Sequence, residues 1–138
     1  MKLALSVPAG FHGRELLLPL KPLLESDLDI EKVTVISPAS RYHAEIFSSY
    51  GRMFDFVTSL DDITPDIVVT TTSGLDAHDI AILHAAKKRR IKTVTFIASW
   101  DNVWKMERFN NQGHAQVLAD RLIVWNELMK AHLQRVFP

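Results

Sequence analysis

Short β-branched or apolar runs, each followed by a segment with apolar residues at helical spacing, recur along the whole chain, and this alternation constrains the fold most strongly. Lys2 to Val7 alternates Leu3, Leu5 and Val7 within a nearly continuous apolar run, the pattern of a strand buried on both faces. A glycine-rich turn, Pro8 to Arg14, leads into Glu15 to Ser26, where Leu16, Leu17, Leu20, Leu23 and Leu24 fall at helical spacing and Pro22 is expected to kink the helix. Lys32 to Ser37 reads as a second strand, followed by a helix from Ser40 to Tyr50 that ends at Gly51. Phe54 to Val57 reads as a third strand and Asp66 to Thr71 as a fourth, with an acidic turn ending in Pro65 between them. A helix from Asp76 to Arg89 follows, with Ser73 and Asp76 spaced as a capping box in which aspartate replaces glutamate. Lys92 to Ala98 and Arg121 to Trp125 complete six strands, and Asn126 is positioned to cap a last helix from Glu127 to Val136. Parallel strands need a crossover of about this length. The pattern therefore predicts an α/β fold: a Rossmann-like open parallel sheet of about six strands, ordered 3-2-1-4-5-6, with helices on both faces.

Length and composition narrow the function classes. The chain has 138 residues, 47% of them hydrophobic and 23% charged, which suits one globular domain with a real core. Sixteen basic residues balance sixteen acidic ones, so no overall field draws in nucleic acid. The run Lys87 to Arg90 lacks interleaved aromatics and reads as a solvated helix end. With no cysteine, thiolate chemistry and cysteine-ligated metals are excluded, and a cytoplasmic setting is expected, either free or peripheral at the inner membrane face. Pro8 and Gly10 interrupt the first apolar run before it reaches signal-peptide length, and no stretch approaches the roughly 18 apolar residues of a membrane span. His78, Asp79 and His84 lack the four-residue histidine spacing that shares a helix face, so no metal and no cofactor is expected.

In an open parallel sheet, ligands bind beyond the carboxyl ends of the strands, which directs attention to three loops. After the first strand, Gly10 and Gly13 permit a tight turn and close approach to a ligand, Arg14 adds a cation, and His12 is a base with a near-neutral reference pKa. The dinucleotide fingerprint is incomplete: the G-x-G-x-x-G spacing is missing, and no acidic residue ends the second strand. After the fourth strand, Thr70-Thr71-Thr72-Ser73-Gly74 offers hydroxyls and backbone N–H groups at a helix start, with Thr72 and Ser73 as candidate contacts, for a polar ligand or simply as caps. After the fifth, Ser99-Trp100-Asp101-Asn102 supports two readings. Trp100 could stack on a sugar face while Asp101 orients a histidine and Asn102 binds hydroxyls; equally, Trp100 could pack in the core while Asp101 or Asn102 caps a segment from Val103 to Phe109.

Two segments carry a resemblance. Thr95 to Asn102 resembles a strand ending in a Ser-Trp-Asp-Asn turn, and Ala119 to Lys130 resembles the strand and helix, of the type A-D-R-x-x-V-W-x-E, that close the first domain of GT-B glycosyltransferases. The similarity is greatest to bacterial surface-polysaccharide transferases and CDP-glycerol glycerophosphotransferase-like proteins. It implies that this chain is the acceptor-side domain, with a glycan or lipid-linked acceptor as substrate and the donor-binding C-terminal domain absent. By analogy, His12 would be the catalytic base and Asp101 its orienting carboxylate, with Gly10, Gly13, Arg14, Thr72, Ser73, Trp100 and Asn102 around the substrate. A missing partner domain would leave an apolar patch near the C-terminal ends of the strands, through which two copies could pair. The alternative expectation is a Rossmann-like binding or interaction module without chemistry of its own.

Overall fold

A computed structural model describes residues 1–9, 12–13, 16–17, 20–22, 26, 29–38, 43–44, 46, 54–71, 76–97, 100–111 and 119–137, the side chains at 100, 101 and 108–111 excepted. Six strands, β1 (Lys2–Ser6), β2 (Lys32–Ile36), β3 (Asp55–Val57), β4 (Ile67–Thr70), β5 (Lys92–Phe96) and β6 (Arg121–Ile123), form one sheet in the order β3-β2-β1-β4-β5-β6. Every pairing is parallel, so the predicted order and strand direction both hold. Three helices have their whole backbone among the described residues: α1 (Ala77–Lys88), α2 (Trp100–Asn111) and α3 (Glu127–Val136).

Strand alternation sorts the core into two faces. Leu5, Val7, Val35 and Val69 project to one side and pack with Leu16, Leu17 and Ile46, which lie in helical turns after β1 and β2. Ala4, Ile36 and Val68 project to the other side against Ile82 and Ala86 of α1 and against Leu60. Ile97 extends this second face to Val103 and Met106 of α2 and to Met129 and Leu133 of α3. Trp104 stacks on His132 with ring centroids 4.9 Å apart, and His132 Nε2 lies 2.8 Å from Glu107 Oε2, so an aromatic and a polar contact both clasp α2 to α3.

Several local expectations change. The turn expected through Arg14 has already become helical at His12 and Gly13. Asp76 does not stand three residues inside a Ser73 cap; it is itself the cap of α1, accepting from the His78 N–H at 2.8 Å. Helix α2 begins at Trp100, three residues before the expected start, which makes Trp100, Asp101 and Asn102 its first turn rather than a loop. The acidic turn before β4 contains a 3-10 turn, Leu60–Asp62. Arg89, one of the four basic residues expected at a solvated helix end, donates to the Leu60 and Ile63 carbonyls at 2.6 Å each. Asn126 caps α3 as predicted, accepting from the Met129 N–H at 2.9 Å.

Aspartates tie strand starts together twice. Asp66 accepts from the Lys2 N–H at 2.7 Å, joining the start of β4 to β1. Asp120 accepts from both the backbone N–H and the hydroxyl of Thr93, at 2.8 and 2.9 Å, joining β6 to β5. The Thr93 N–H, then its hydroxyl, and then the charges of Lys87 and Arg121 hold the Asp120 carboxyl below the usual carboxylate range, against a partial desolvation cost. A carboxyl with a depressed folded pKa stabilises the fold above its unfolded value of about 4, and that contribution is lost as pH falls through the folded value. Urea unfolding should therefore show Asp120→Asn less stable than the parent at neutral pH, with the gap narrowing once pH falls below the unfolded value. A gap independent of pH would show that the carboxylate charge plays no part in the tie.

Candidate active site at the carboxyl edge of the sheet

Because all six strands are parallel, the residues that follow them collect at one edge, with β1 beside β4 at the point where the chain's strand order reverses. His12 lies half-buried in the helical turn after β1. Gly13, in the same turn, is buried, and a Cβ there would stand 3.1 Å from Ile46 Cγ1 and 3.3 Å from Val7 Cγ1. The glycine read from sequence as allowing approach to a ligand thus allows close packing of a helix on β1. Gly10 and Arg14 lie outside the described residues, as do Thr72 and Ser73. The backbone of Trp100 and Asp101 opens α2 just beyond β5, at the same edge, while their side chains lie outside the described residues; Asn102 is half-buried in that turn. One strand, β4, separates β1 from β5, which at the usual strand spacing sets the two strand ends about 10 Å apart.

The edge also holds buried polar groups whose contacts sequence reading did not foresee. Ser6, the last residue of β1, donates its hydroxyl to Asp79 Oδ1 at 2.5 Å, and both side chains are fully buried. Asp79 sits in the first turn of α1, where a carboxylate also complements the helix dipole. Thr70 and Thr95, at the ends of β4 and near the end of β5, share a 2.6 Å hydroxyl hydrogen bond. Ser37 and Thr71, which follow β2 and β4, are both 0% exposed, and neither hydroxyl has a hydrogen-bond partner among the described residues. Strand alternation puts them on the face of Val7, on either side of β1. The available signal was a hydroxyl residue at the end of each apolar run, but period-two patterning says nothing about which of them meet.

His78, considered above as a metal ligand, lies 3.4 Å through Nε2 from the Ile36 carbonyl, and His84 is exposed on α1. Among the described residues no three histidine, aspartate or glutamate side chains converge as a metal site. No described helix is long and apolar enough to cross a membrane.

Fold and edge together define a Rossmann-like α/β open-sheet domain whose carboxyl edge carries a histidine and buried hydroxyls. No protein-family profile and no curated protein sequence matches the chain.

Proposed function

We propose that the chain is the acceptor-binding half of a GT-B glycosyltransferase, which moves a sugar from a nucleotide-linked donor to a cell-surface glycan or lipid acceptor. The carrying observation is the position of the two segments that resemble that family. One spans the junction of β5 and α2 at the ligand-binding edge, and the other spans β6 and α3, which close the sheet. Residues of the second segment have architectural work that accounts for their types. Asp120 ties β6 to β5, Trp125 donates its indole N–H to the Ile97 carbonyl at 2.8 Å, and Asn126 caps α3. The first segment leaves Asp101 in the opening turn of a helix at the edge that also carries His12.

A hydroxyl-rich acceptor suits this edge. Leaving a buried hydroxyl unsatisfied costs about 1–3 kcal/mol, so Ser37 and Thr71 favour an added polar partner, a water or an acceptor hydroxyl, beneath the loop after β1. His12 would take the acceptor proton and Asp101 would orient the imidazole, in the manner of a base and its carboxylate.

This reading places the nucleotide site on another domain. Calorimetry of the isolated chain with UDP-, GDP- and CDP-linked sugars should give no specific heat of binding. Micromolar affinity for any one of them would assign this chain to the donor side instead.

A further inference from the structure

The two edges of the sheet differ in kind. At the β3 edge, Asp55 is exposed and paired with Lys32 at 2.6 Å, the sort of charged side chain that discourages strand addition. At the β6 edge, Ile123 is 48% exposed and Trp125 64% exposed, and no described strand pairs beyond β6. On the helix-covered face, a groove of about 460 Å³ runs between β6 and α3, lined by Leu122, Val124, Lys130, Leu133, Gln134 and Phe137. The groove also takes in Asp120 and Arg121, so each face of this edge offers accessible apolar side chains set among polar ones.

We propose that the occupant of this edge is a second copy of the chain, joined antiparallel β6 to β6 about a two-fold axis through Ile123. The backbone selects that register. Ile123 directs its carbonyl inward, accepting from the Ile97 N–H at 3.0 Å, so by alternation Leu122 and Val124 direct their backbone groups outward. An axis at Leu122 would also call on the Asp120 N–H, which already donates to the Thr93 hydroxyl at 2.9 Å. An axis at Ile123 uses only Leu122 and Val124, each bonded to the other residue in the second copy.

Side chains are self-complementary in the same register. Ile123 meets its own copy on the open face, and Arg121 lies across from Trp125 of the second copy, also on that face, where a guanidinium can cover an indole ring. On the opposite face, Leu122 and Val124 of the second copy enter the groove beside α3. Every exposed apolar side chain of the strand edge is covered, and no like charges are set opposite one another.

Sedimentation of the intact chain from about 1 to about 200 µM, where modest interfaces associate, tests the arrangement. A concentration-dependent monomer–dimer equilibrium is expected. Ile123→Lys, which sets two ammonium groups at the axis, should be monomeric with unchanged circular dichroism and, at concentrations where the parent is also monomeric, an unchanged unfolding midpoint. Arg121→Gln should weaken association about 5- to 30-fold, the effect of two symmetry-related cation–π contacts. The chain has no cysteine, so Ile123→Cys introduces a single thiol. Directly opposed residues at such a position hold their Cα atoms about 4.5 Å apart, within disulfide range, so mild oxidation should cross-link it. Leu128→Cys, though 73% exposed, should not cross-link. A monomer at every concentration, a dimer that survives Ile123→Lys, or equal cross-linking through Leu128→Cys would each overturn the proposal.

Discussion

Replacing His12 with alanine in the two-domain transferase implied by the proposed function should lower transfer by about 10²- to 10⁴-fold, the usual contribution of a positioned general base. The acceptor hydroxyl must lose a proton as its oxygen bonds to the sugar carbon and the nucleotide leaves. An imidazole with a near-neutral reference pKa can accept that proton at physiological pH. His12 occupies the turn after β1, at the edge where a parallel sheet binds ligands. The loss should fall mainly on kcat, because a base acts in the transition state rather than in acceptor binding. Asp101→Ala should give a comparable loss if its carboxylate fixes the imidazole tautomer, whereas His84→Ala, on the exposed side of α1, should be nearly neutral. Rates measured with saturating acceptor separate these outcomes. Retention of more than about a tenth of parental kcat by His12→Ala would exclude general-base catalysis by this residue, since even the weakest such contribution is larger.

Leu5→Ala should destabilise the domain by about 2–5 kcal/mol, a large share of the roughly 5–15 kcal/mol that ordinarily separates folded from unfolded domains. Leu5 is the fourth of the five residues of β1, is fully buried, and pairs in register with Val35 on one side and Val69 on the other. It also packs with Leu16, Leu17 and Ile46 across one face of the sheet. Backbone hydrogen bonds on both flanks of β1 resist collapse into the space left behind, so most of the lost volume should remain as a cavity. Chemical unfolding gives the measure directly. A loss below about 1 kcal/mol would mean that the two helical turns on that face repack freely, which is incompatible with a close-packed interior. The same substitution at Leu128, 73% exposed on α3, should change stability by no more than about 0.5 kcal/mol.

The strands were legible because a buried parallel sheet requires continuous apolar, β-branched runs, and each such run in the chain is short and bounded by a turn. The predicted end of β6 extended two residues past the hydrogen-bonded ladder, to Trp125, because apolar character continues where pairing stops. Helix starts were less legible. Ser73 and Asp76 both have suitable capping chemistry, and the backbone conformation at Asp76 decided that it caps α1. Likewise, Ser-Trp-Asp-Asn has turn-forming residues, yet three of the four lie in or open a helix that buries Val103 and Met106.

At the candidate site, the sequence marked the loops that the topology gathers, since parallel strands joined by helical crossovers all end at one edge. It did not reveal the Ser6–Asp79 hydrogen bond, which joins residues 73 positions apart, or the burial of Ser37 and Thr71 on either side of β1. Nor did it separate the two uses of glycine: Gly13 was legible as a point of close approach, and only packing identified the neighbours as Val7 and Ile46. Local pattern by itself determined the fold class, the strand order and the chemical types available at one edge, because secondary-structure period and chain connectivity are properties of the sequence. Tertiary structure alone decided which polar groups are buried, which are satisfied and which sheet edge is left apolar, because those depend on distances between residues remote in the chain.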